Sequence, residues 1–205
     1  MTSVITGDII QSRQLPDPRI WSKPLKKMLA TLGKSPETWE IYRGDSFQLE
    51  VFPADAFLTT LRIKSVIKCH KGLDVRMAIG IGNRQFEADA IKESTGEAFI
   101  YSGEKLEALK KEKQTLAIKS AWKDFDAEWN VIFRLALITL DSWGPKAAET
   151  VSLVLEHPDM DQQHISRHLG IAKSSVSERL KRAHLDEMLD LESLYRKQIN
   201  ILVTP

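Results

Sequence analysis

The sequence predicts an α+β chain. Residues 1–120 are expected to form a ferredoxin-like, palm-type antiparallel sheet with helices on one face. Residues 121–205 are expected to be all-helical and to contain a helix-turn-helix at 161–183. Three observations carry this. Short β-branched or alternating apolar runs recur up to residue 119, interleaved with stretches at helical spacing. Their order is strand, helix, strand, strand, helix, strand, then helix and strand, the order of an antiparallel sheet backed by helices. Beyond residue 120 the apolar pattern is helical throughout.

The first strand is Val4–Ile10, a β-branched run broken only by Thr6-Gly7-Asp8. Pro16 and Pro18 make the next segment a loop. Ile20, Trp21, Leu25, Met28, Leu29 and Leu32 then recur at helical spacing, with Gly33 as a stop signal. Residues 39–43 and 46–51 alternate with period two, with only Gly44-Asp45 between them. A two-residue loop containing glycine predicts a β-hairpin, here with Gly44 at the first central position of a type II′ turn. Pro53 opens a helix to about residue 68, Asp74–Gly82 reads as a strand, 95–111 as a helix and 115–119 as a short strand. Trp122, Phe125, Trp129, Phe133, Leu140 and Trp143 form an apolar stripe, and Gly144-Pro145 ends one helix and starts the next. The segment from Asp186 to Val203 is amphipathic through Leu189, Tyr195, Ile199 and Leu202, suited to packing on the core or pairing two subunits.

Composition narrows the function classes. A net charge of +1 favours no partner in bulk, so nucleic-acid affinity needs a local patch. One cysteine, Cys69, rules out an intrachain disulfide and a cysteine metal cage, and fits a reducing cytoplasm. The start of the chain lacks a secretory pattern and no apolar run approaches the ~18 residues of a membrane span. The expected location is therefore cytoplasmic.

The sharpest motif lies at residues 161–183. Ile165 and Leu169 face inward on a first helix, Ser166 is small where two helices cross, Gly170 makes the turn, and Val176 and Leu180 face inward on a second helix. Small, glycine and apolar residues at these offsets are what a helix-turn-helix requires. Between Asp161 and Leu185 five Lys/Arg stand against two Asp/Glu, a local excess of +3. Lys173, Ser174, Ser175, Ser177, Glu178, Lys181 and Arg182 form the outward face of the second helix, with Arg167 and His168 on the first. Their chemistry suits base edges and phosphates of double-stranded DNA, read by a homodimer.

A second candidate is a pair of carboxylates. Asp8 ends the first strand and Asp45 sits at the hairpin tip. In the expected topology they meet and supply oxygen ligands for Mg²⁺. Gly44, Arg13 and Arg84 are candidate contacts to a nucleotide phosphate.

Several segments carry a resemblance to known families. "VITGDIIQSR", "RGDSFQLEV", "VRMAIGIG", "GEAFIYSGEKLEALK" and the helix-turn-helix together resemble the SatD family over nearly the whole chain. The N-terminal part also resembles the palm-type domain of class III nucleotidyl cyclases and diguanylate cyclases. There, two acidic residues at the positions of Asp8 and Asp45 hold metal ions for attack on a nucleotide phosphate. That resemblance implies a divalent metal and a nucleotide effector. The sequence departs from it where the cyclase asparagine and arginine fall, near Ile100 and near Glu104 or Lys105. The donors of the cyclase transition state are thus missing. A DNA-binding regulator is the leading expectation; a Mg²⁺-dependent nucleotidyl-transfer enzyme is the alternative.

Overall fold

A computed structural model describes residues 1–203. Five strands form the main sheet: β1 (Thr2–Ile10), β2 (Trp39–Tyr42), β3 (Ser46–Val51), β4 (Asp74–Gly82) and β7 (Leu116–Lys119), in the order β2-β3-β1-β4-β7. A small ribbon pairs β5 (Arg84–Phe86) with β6 (Thr95–Gly96). The helices are α1 (Arg19–Leu29), α2 (Ala56–Lys68), α3 (Glu97–Glu112), α4 (Lys123–Leu140), α5 (Pro145–Glu156), α6 (Gln162–Leu169), α7 (Lys173–Ala183) and α8 (Leu185–Val203). No helix among the described residues is long and apolar enough to cross a membrane.

Three of the four strand pairings are antiparallel; β4 and β7 run parallel, so the sheet is mixed. The parallel pair follows from connectivity, because α3 crosses over between β4 and β7 as a parallel connection demands. The helices also depart from the expected single face. Alternation along β1 sends Ile5 and Ile9 to one side, with Phe47, Leu49, Val75, Met77 and Ile79, where α1, α2 and α4 cover them. Val4, Thr6 and Asp8 point to the other side, where α3 packs. Glycine makes that second layer possible: a Cβ at Gly80 would collide with the backbone of Ala98 and Ser102 on α3. Thr6 and Ser102 share a hydrogen bond of 2.9 Å at the same contact. α3 covers β4, β7 and part of β1, and leaves the β2–β3 side of that face polar and half-exposed through Glu40, Tyr42, Ser46, Gln48 and Glu50.

The hairpin loop has three residues rather than two. Tyr42 pairs with Ser46, and Arg43 joins Gly44 and Asp45 in the turn. Arg43 lies at φ 51° and Gly44 at φ 90°, the sign a type I′ turn requires at both central positions.

The change to an all-helical chain falls after β7, as the periodicity indicates, and the core runs on across it. Phe57 of α2 meets Trp129 and Phe133 of α4 and Tyr195 of α8, with ring centroids 5.0 to 6.4 Å apart. Tyr195 is fully buried, and its hydroxyl donates to the carbonyl of Pro53 at 3.0 Å. This settles α8 as a core helix over much of its length. Nearby, the buried Lys64 donates to Asp74 at 2.9 Å and to Asp141 at 2.6 Å, while Lys68 donates to Asp74 at 3.0 Å and to the Asp141 carbonyl at 2.7 Å. These four residues tie α2 and the start of β4 to the end of α4. The two lysines of α2 gave no sequence signal of this.

Candidate functional site

Two regions contain the candidate functional residues. The first is the end of the sheet where β1 finishes. Asp8 is half-buried on the α3 side, opposite Ser46 on β3 and Arg76 on β4. Asp45, in the hairpin loop, is drawn back toward β1: its carbonyl accepts from Ile9 N–H at 3.0 Å, and its carboxylate accepts from Ser12 Oγ at 2.6 Å. Ser12 is buried in a short 3₁₀ turn (Ser12–Gln14) that follows β1. The two carboxylates thus lie at the same end of the sheet, close enough for the Asp45 charge to act on Asp8.

Asp8 also has cationic neighbours. Arg76 Nη1 lies 3.1 Å from each of its carboxylate oxygens. Lys110, in the last turn of α3, is 4.0 Å away. Burial pushes the Asp8 carboxyl above its ordinary value by more than Arg76 and Lys110 hold it down, and Asp45 adds to the rise. Beside the pair, Gln48 donates to Thr6 at 3.2 Å, Thr6 to Ser102 at 2.9 Å, and Ser102 to the Phe99 carbonyl at 3.0 Å. A chain of polar contacts therefore runs from half-exposed Gln48 on β3 inward to Thr6 and Ser102, which are buried beneath α3.

The oxygen-donor chemistry of Asp8 and Asp45 suits Mg²⁺. Among the described residues no three His, Cys, Asp or Glu side chains gather as a metal cluster. Two carboxylates would hold such an ion only together with water or ligand oxygens. Of the nucleotide candidates, Gly44 is exposed at the hairpin tip and Arg13 is exposed beside Ser12. Arg84 lies elsewhere: it pairs with Glu50 at 2.9 Å and Glu87 at 2.8 Å. Glu50 opposes Val4, four residues or about 13 Å along β1 from Asp8. Of the positions expected to match the cyclase donors, Ile100 and Glu104 are exposed on α3 and Lys105 is half-buried, 3.9 Å from Glu112. Arg76, Lys110 and Ser12 were missed by sequence reasoning; only strand register and the approach of α3 bring them to Asp8.

The second region is α6 and α7 with the turn between them. Asp161 caps α6, its carboxylate accepting from His164 N–H at 2.8 Å. Gly170 ends α6 in the left-handed region at φ 63°, which a glycine adopts without strain. Ile165 and Val176 are buried against Leu153 of α5, with Leu169, Ile171 and Leu180 around them. This is the trihelical packing the motif implies. Arg167, His168, Lys173, Ser174, Ser177, Glu178, Lys181 and Arg182 are exposed. Ser175 is half-buried beside α5, and Arg182 is paired with Glu178 one turn earlier. Arg179 turns inward to Glu149 and Thr150, each at 3.3 Å, and fixes α7 on α5.

Comparison with known proteins adds no identity: neither a family model nor a curated protein matches the chain.

Proposed function

We propose that this chain is a bacterial DNA-binding protein of the SatD type, a cytoplasmic transcriptional regulator acting as a homodimer. Its N-terminal part is read as a palm-type, ferredoxin-like domain that takes a divalent metal or a nucleotide effector. The observation that supports the DNA-binding reading is the packed α5–α6–α7 unit with Lys173, Ser174, Ser177 and Lys181 left exposed on its second motif helix. Such a helix enters the major groove with its first turns at base edges, and flanking cations neutralise phosphates. The order β2-β3-β1-β4, antiparallel throughout, supports the ferredoxin-like reading. A gel shift on fragments of its own operon at low salt tests the function. Retarded bands that weaken in Lys173→Ala and Lys181→Ala are expected. No retardation of any fragment sinks the proposal, since phosphate contacts alone give non-specific affinity.

One observation favours a second reading, a Mg²⁺-dependent nucleotidyl-transfer enzyme: Asp8 and Asp45 share one sheet end. Each nucleoside triphosphate incubated with Mg²⁺ should then give a product that Asp45→Ala abolishes. Equal absence of product from both proteins removes this reading.

A further inference from the structure

The carboxylate Asp8 does not stand free for a cation. Arg76 is its direct register partner on β4, and one guanidinium nitrogen is shared between both carboxylate oxygens at 3.1 Å. Lys110 approaches from the other side at 4.0 Å. A divalent ion moving onto Asp8 in the free protein meets two positive charges and must displace them. Both cations, however, have hydrogen-bonding capacity left. A guanidinium carries five N–H donors, and Arg76 Nε is buried without a partner. Lys110 is partly exposed and, among the described residues, is otherwise bonded to Glu107 at 2.6 Å. The adjoining β2–β3 strip is half-exposed and polar, which leaves room for an anionic ligand.

We propose that Arg76 and Lys110 are an anion gate on Asp8: they occupy its carboxylate in the free protein, and a polyphosphate-bearing ligand draws them off. Cation and polyphosphate then bind together and poorly apart. The phosphate oxygens accept from the arginine fork and the lysine ammonium, whose charges they neutralise, and Asp8 and Asp45 are released to the metal. Because coupling between two ligands is reciprocal, each raises the affinity of the other by the same factor. This rests on the reading of Asp8 and Asp45 as metal ligands, and it gives that reading residues other than Arg84 for the phosphate.

Isothermal titration calorimetry on the full chain tests it with three titrants: Mg²⁺, tripolyphosphate, and their preformed complex. The complex is expected to bind at least about tenfold tighter than either component. In Lys110→Gln, an exposed change that leaves the sheet intact, and in Arg76→Gln, the complex should weaken about tenfold while Mg²⁺ alone binds tighter. A role confined to the fold would weaken both titrants together rather than move them in opposite directions. Tight binding of Mg²⁺ alone to the wild type, lost in Asp45→Asn, would keep the metal reading and overturn the gate. Equal weakening of both titrants in Lys110→Gln would also overturn the gate. Absence of binding by all three titrants would overturn both.

Discussion

Two of the apolar clusters among the described residues, the largest and the one between α5, α6 and α7, differ in what they hold together. The larger runs from Ile5 on β1 through Phe57 on α2 and Trp129 on α4 to Ile199 on α8, and so spans the change from sheet to helices. The smaller is Leu153, Ile165 and Val176 inside the helix-turn-helix. The larger is interlocked by aromatic rings, by the Tyr195–Pro53 hydrogen bond and by the Lys64–Asp74–Asp141 network. The smaller has the Asp161 cap and the Arg179 bonds around it. A large core that crosses the chain fixes the frame as one cooperative unit. A small satellite core leaves α6 and α7 free to open locally at lower cost.

Four substitutions or conditions separate the two centres. Phe57→Ala removes a ring shared by α2, α4 and α8, so it should cost about 3–5 kcal/mol, with sheet and helices melting together by circular dichroism and tryptophan fluorescence. Separate melting of the helical part would break the comparison. Lys64→Ala takes the buried ammonium away from Asp74 and Asp141, leaving Asp74 to Lys68 alone, and should cost about 3 kcal/mol in urea unfolding, whereas Lys64→Met, which fills the space but restores no charge, should recover only the packing part of that. Val176→Ala removes two buried methyl groups and should cost about 2 kcal/mol. Hydrogen exchange should show faster opening of α6 and α7 with α2 unchanged.

The smallest effect is an acid one. The His164 backbone N–H, followed by its side chain, holds the Asp161 carboxyl below its ordinary value of 3.8. A carboxylate with a lowered folded value contributes stability above its unfolded value, and that contribution is lost as pH falls through the folded one. Amide protection at His164 should therefore drop on acidification below about pH 4, and the drop should vanish in Asp161→Ala.

Elements with strong local signatures were legible in the sequence. The period-two runs at 39–51 and the spacing of Ile165, Gly170 and Val176 depend on neighbours a few residues away, and both were found where expected. The turn was misread because Arg43 takes a positive φ, a position normally associated with glycine or asparagine. The single helical face was misread because a glycine within a strand does not announce a helix packed upon it, and Gly80 is what lets α3 approach. Arg84 looked like a phosphate contact because the place of β5 relative to Asp8 cannot be judged before the register of β4 on β1 is known.

By itself the sequence determined the α+β class, the order of the main elements and the change to helices after residue 120. Each follows from side-chain periodicity and turn chemistry within a short window. Only the tertiary structure decided that helices cover both faces, that the core crosses from sheet to helices, and that Asp8 is met by Arg76, 68 residues away. These last features depend on strand register and on how closely helices approach the sheet. No local pattern encodes either, because a one-residue slip in pairing sends every side chain to the opposite face.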